Sequence, residues 1–103
     1  MWVIQLCPAF ENKRARESAD IPGEAVGIYR YLRSDEVMYI GRGGIKQRLA
    51  APERKDWLFD KVEFSLVENP DDQLKWEAYW LARYKEDNNG ELPIYNKIGG
   101  AQA

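Results

Sequence analysis

The side chains of this sequence that could do chemistry are tyrosines, arginines and one glutamate, because the chain has no histidine and a single cysteine, Cys7. That combination leaves no zinc cluster and no internal disulfide to assemble. With histidine absent, the groups able to act as a general base on water are the phenols of Tyr29 and Tyr39. Net charge is −2 and the isoelectric point is near 5.2, the wrong sign for holding nucleic acid by bulk counterion release. The charge is uneven, however. Arg30, Arg33, Arg42, Lys46 and Arg48 lie close together, whereas Asp71, Asp72, Glu86, Asp87 and Glu91 lie late, so a basic face with an acidic remainder is expected. Gly41, Gly43 and Gly44 surround Arg42. Glycines there let the backbone approach a phosphate and donate amides to it, and they serve a strand bulge or a turn equally well.

Positioning these groups takes a small α+β domain. Val26, Ile28, Arg30 and Leu32 alternate with Gly27, Tyr29 and Tyr31, which is a strand from Ala25 to Leu32. Ser34-Asp35 is a turn pair and Val37 to Gly41 returns as a second strand, giving an antiparallel hairpin. A short helix from Ile45 to Pro52 carries Arg48, Trp57 to Phe59 adds a helical turn, and Val62 to Val67 is a third strand. Asp71 or Asp72 caps a strong helix running to Asp87, and Asn88-Asn89-Gly90 stops it. Ahead of the hairpin, Trp2 to Leu6 reads as a strand and Glu11 to Asp20 as a loop or frayed helix. The expectation is one domain over residues 1–103: an extension, 1–24, and a core, 25–98, with a three-stranded, mainly antiparallel sheet flanked by helices in the order β-β-α-β-α.

On a helical wheel the long helix places Trp76, Trp80 and Tyr84 on one part of an apolar arc and Leu74, Ala78 and Leu81 on the other, with Glu77 between them. A charge buried there without a partner costs several kcal/mol, so Glu77 requires a cation, either a metal ion or an arginine such as Arg48. Magnesium suits a lone carboxylate, because it completes its octahedron with water and phosphate oxygens.

Residues 27 to 29 read Gly-Ile-Tyr and residues 39 to 41 read Tyr-Ile-Gly, one tripeptide on each arm of the hairpin. Together with Arg48 on the first helix, Glu77 on the long helix and Asn96 near the end, this order resembles the GIY-YIG nuclease family from about Val26 through Asn96. The resemblance implies a metal-dependent endonuclease that hydrolyses phosphodiester bonds in DNA, and the choice of DNA over RNA rests on it alone. It makes Tyr29 the base that activates water, Tyr39 a positioner of water or phosphate, Arg48 a phosphate clamp and Glu77 the ligand of Mg²⁺, with Mn²⁺ as a substitute. Gly41, Arg42, Lys46 and Asn96 would meet the substrate. A phenol titrates near pH 10, so Tyr29 needs a neighbouring cation, the metal, Arg42 or Arg48, or else alkaline conditions. The chain departs from the family after Arg48, where many members place a histidine or another tyrosine; here Arg54 and Lys55 are the nearest replacements. The competing expectation is a module of the same fold that binds nucleic acid or a protein without cleaving.

The lone cysteine points to a reducing compartment, the cytoplasm. Trp2 to Phe10 is broken by Gln5 and Pro8 and is far shorter than the roughly 20 residues of a spanning helix, so no membrane is expected. Trp76, Tyr79, Trp80 and Tyr84 exceed what one core seam needs, which suits a homodimer or a partner protein that supplies specificity.

Overall fold

The computed structural model describes residues 9–17 and 20–100; the strand expected at Trp2 to Leu6 lies outside the described residues. Four strands and three helices follow in the order β1 (Asn12–Ala15), β2 (Val26–Arg33), β3 (Glu36–Gly44), α1 (Ile45–Leu49), β4 (Lys61–Leu66), α2 (Pro70–Asp87) and α3 (Ile94–Gly100), with a 3₁₀ turn at Pro52–Arg54 between α1 and β4. The sheet is antiparallel throughout, in the order β1-β4-β2-β3.

The hairpin forms because Ser34 and Asp35 both take positive φ, 49° and 69°, which two-residue hairpin loops need to match strand twist. Lys61 on β4 then bonds Asp35 at 2.8 Å. Register places Tyr29 opposite Gly41 and Tyr31 opposite Tyr39, and a bulge follows Tyr31. One sheet face therefore carries Tyr29, Tyr31, Val62 and Phe64, which pack with Ile21, Ala25, Ile45 and Phe59 into the main core. Ile28, on the other face, meets Trp76 of α2 and Phe10.

Four expectations are corrected. The sheet has four strands, not three, because Asn12–Ala15 in the run read as loop or frayed helix pairs with β4 as an edge strand. Its alternation of half-buried and exposed residues is a polar strand's, which carries no apolar period to betray it. The helical turn expected at Trp57 to Phe59 is instead the 3₁₀ turn at Pro52–Arg54, where proline favours the first helical position. The cap of α2 is Asn69, whose side-chain oxygen accepts from the amides of Asp71 at 2.8 Å and Asp72 at 3.2 Å; Pro70 starts the helix, so the cap moves back one residue. Leu74 and Ala78, assigned to the apolar arc of α2, are exposed, because the sheet beneath the helix is covered by the Trp76 side alone. The tail also winds into α3, started by buried Pro93.

Ahead of the hairpin, Phe10 and Ile21 belong to the core. Phe10 packs on Trp80, ring centroids 5.1 Å apart, and under the Arg30 guanidinium at 4.4 Å, which absorbs much of the aromatic surplus of α2. Arg16 donates to the carbonyls of Trp57, Phe59, Arg54 and Lys55 at 2.6–3.3 Å and lies 3.7 Å above the Phe59 ring. It thereby ties down the loop that follows the 3₁₀ turn. Among the described residues no helix is long and apolar enough to cross a membrane.

Candidate active site

Along the outer edge of β3 runs a cleft of about 370 Å³. Tyr29 and Tyr39 form its floor, Arg42 comes from β3, Arg48 from α1, Arg54 from the 3₁₀ turn, Glu77 and Leu81 from α2 and Asn96 from α3. Six of the named site residues other than the glycine, namely Tyr29, Tyr39, Arg42, Arg48, Glu77 and Asn96, thus meet in one place. Lys46 does not line the cleft; it is exposed on α1. A second hollow of about 310 Å³, between the hairpin and α2, mixes Asp35, Glu36 and Asp87 with Arg30 and Arg83 and gathers no single sign of charge.

Gly41 acts by lacking a side chain. A Cβ there would stand 2.6 Å from the Tyr29 oxygen and 2.7 Å from Tyr39 Cε2, so the glycine makes room for both phenols. Asn96 is spent on the backbone: its oxygen accepts from Ile40 N and its amide donates to Ile40 O, both at 2.9 Å. The pair gives edge strand β3 the hydrogen bonds a further strand would have supplied. A substrate contact from Asn96 would have to use its second N–H.

The centre of the site is a residue the sequence reading treated only as a stand-in. Arg54 is 6% exposed, and its Nη1 donates to the hydroxyls of Tyr29 and Tyr31, each at 2.8 Å. Nη2 lies 3.4 Å from the Tyr39 hydroxyl, and the guanidinium carbon sits 4.8 Å from the Tyr39 ring centroid and 5.2 Å from that of Trp57. Among the described residues no carboxylate pairs with Arg54, and its Nε is buried without a hydrogen-bond partner. Ring faces and phenol oxygens compensate the charge in part. Burial works against the Arg54 charge, but the Tyr29 and Tyr31 oxygens outweigh it, so the guanidinium stays protonated. No periodicity in Pro52-Glu53-Arg54 signals this role; the one clue is that a cation stands near the place where the family pattern asks for histidine.

Burial pushes the Tyr29 hydroxyl well above the ordinary phenol range, the neighbouring Tyr31 adds to the effect, and Arg54 offsets only part of it. Among the described residues the cation that touches Tyr29 is Arg54, where a metal ion, Arg42 or Arg48 was expected, and it does not leave Tyr29 depressed, which leaves the alkaline alternative. Burial likewise raises Tyr31, with Arg54 again opposing. Glu77 is half-buried and pairs with Arg42 rather than Arg48, Oε1 to Nε at 3.4 Å. Burial raises its carboxyl, while Arg42 and then the more distant charge of Arg48 lower it.

The donor set at Glu77 fits a hard cation that keeps its waters: it is one carboxylate, with no nitrogen or sulfur ligand beside it. Among the described residues there is no group of three or more His, Cys, Asp or Glu that could hold a metal by protein ligands alone. No protein-family model, no curated protein and no solved structure matches the chain.

Proposed function

We propose that the chain is a metal-dependent endonuclease of the GIY-YIG type that hydrolyses phosphodiester bonds in DNA, with the cleft beside β3 as its active site. The observation that carries the proposal is convergence: two phenols from adjacent strands, guanidinium groups from three separate elements and one carboxylate line a single cleft. Such a set handles phosphate by charge and orientation, the two terms that dominate phosphoryl chemistry.

Arg42 and Arg48 hold non-bridging phosphate oxygens, a task for which planar guanidinium forks are suited. Glu77 is the residue that would hold Mg²⁺ or Mn²⁺, and a bound ion would supply Lewis-acid stabilisation of the phosphate and the leaving oxygen. The half-buried Tyr39 hydroxyl orients the attacking water. Tyr29, once ionised, takes that water's proton, with Arg54 stabilising the phenolate across 2.8 Å. Because burial keeps Tyr29 protonated at neutral pH, the rate is expected to rise toward alkaline pH.

The test is cleavage of supercoiled, branched and single-stranded DNA at neutral and alkaline pH, with Mg²⁺, Mn²⁺ or EDTA. The proposal expects nicking that needs the ion and falls about 100-fold or more in Glu77→Ala and Tyr29→Phe. A second reading, a module that binds nucleic acid or a protein without cutting it, is favoured by the existing Glu77–Arg42 pair and the protonated Tyr29. Wild-type protein that shifts DNA in a gel but leaves it intact under every condition would install that reading in place of the nuclease.

A further inference from the structure

The cleft holds more positive charge than a single phosphodiester requires. Arg42, Arg48 and Arg54 line it against one carboxylate, Glu77, an excess of two positive charges. Arg42 meets Glu77 through Nε, which leaves its two terminal nitrogens able to donate to a ligand. Arg54, more than nine-tenths buried, brings a full charge with no carboxylate partner among the described residues and one unsatisfied N–H. It donates to the Tyr29 and Tyr31 oxygens and lies near the Tyr39 oxygen; Tyr29 also hydrogen-bonds Tyr31, so the phenol that accepts on the Arg54 side and keeps its own O–H to donate into the cleft is Tyr39. The Tyr39 hydroxyl and the guanidinium donors then share one cleft, which Tyr29 also lines. A buried cation lacking an anion is costly, and an anion arriving in the cleft relieves that cost.

We infer that the cleft binds phosphate oxygens carrying two negative charges in total, and that it does so without a metal ion. Two sources share this chemistry: one terminal phosphate, or two adjacent diesters of a strand. The inference rests on reading the cleft as a phosphate site and is independent of cleavage. Glu77 opposes this binding, since it is the one negative charge in the cleft.

Calorimetry in EDTA tests it, with inorganic phosphate and with short oligonucleotides that do or do not carry a 5′-phosphate. Wild-type protein is expected to bind phosphate. Arg48→Met, at an exposed position that spares the fold, weakens binding about tenfold or more. Glu77→Gln tightens it roughly fivefold, the effect of removing one nearby like charge. A preference for the 5′-phosphorylated oligonucleotide identifies a strand end as the source, and equal binding identifies adjacent diesters. No binding of phosphate or oligonucleotide in EDTA, unchanged binding in Arg48→Met, or weakened binding in Glu77→Gln would each overturn the inference. Metal-dependent nicking that persists in the first of these cases leaves the nuclease reading standing, whereas metal-free binding with no cleavage in any metal removes that reading and keeps this one.

Discussion

Replacing Gly41 by alanine tests the packing on which the whole site depends. The added Cβ would stand 2.6 Å from the Tyr29 oxygen, 2.7 Å from Tyr29 Cζ and 2.7 Å from Tyr39 Cε2, against 3.4 Å for ordinary contact, so the rings must retreat by roughly 0.7–0.8 Å. Tyr29 cannot do so freely. It is 1% exposed, and its oxygen accepts from Arg54 at 2.8 Å, a bond that a shift of this size stretches past useful length. Overpacking costs about 1–3 kcal/mol, and losing a buried hydrogen bond to a charged group adds about 1.5–3 kcal/mol. In a domain of this size each kcal/mol lowers Tm by about 4–8 °C, so Gly41→Ala should melt at least about 10 °C below wild type. Its near-UV circular dichroism should weaken with the loss of ordered tyrosine and tryptophan packing. Gly23→Ala is the control: its Cβ meets nothing within 4 Å, and stability should stay within about 0.5 kcal/mol of wild type. A Gly41→Ala protein that melts within about 2 °C of wild type, with an unchanged near-UV spectrum, would refute the argument.

Arg16→Met removes the four carbonyl contacts that tie down the loop after Arg54 and should cost about 2–3 kcal/mol, with faster amide exchange concentrated in residues 54–59; uniform protection there would show that the clamp contributes nothing. Absorbance titration at 295 nm should find Tyr29 and Tyr31 ionising above the ordinary phenol range. Native protein then retains protons that the unfolded chain releases near pH 10, so stability should fall as pH rises beyond about 10. The raised Glu77 carboxyl works in the same direction at lower pH. The native state binds more protons than the unfolded state just above the ordinary carboxylate range, so this contribution to stability is present below that range and is lost as pH climbs through the raised value. Glu77→Gln should remove that slope from urea midpoints measured between about pH 4 and pH 7, and an identical slope in both proteins would contradict the assigned burial. Asn69→Ala, which leaves two amides of the first turn of α2 without their cap, should cost about 1 kcal/mol in urea unfolding.

The sequence by itself determined the elements whose signals are local. Alternation marked β2 and β4, Ser34-Asp35 marked the turn from which β3 returns, and Asn88-Asn89-Gly90 marked the end of α2, where Gly90 takes a φ of 82°. Once the hairpin was read, placing Tyr29, Tyr39 and Gly41 together needed only cross-strand register, and a carboxylate at Glu77 beside the apolar arc followed from helical period. The polar edge strand β1 was invisible, since its pairing with β4 joins residues some fifty apart and leaves no apolar period. Tertiary structure alone decided which cation meets which group: Arg54 among the phenols rather than Arg42 or Arg48, Arg42 rather than Arg48 on Glu77, and Asn96 on the backbone of Ile40. These contacts span between 15 and 56 residues, and a long flexible side chain takes its partner from the way elements pack, which no local pattern encodes.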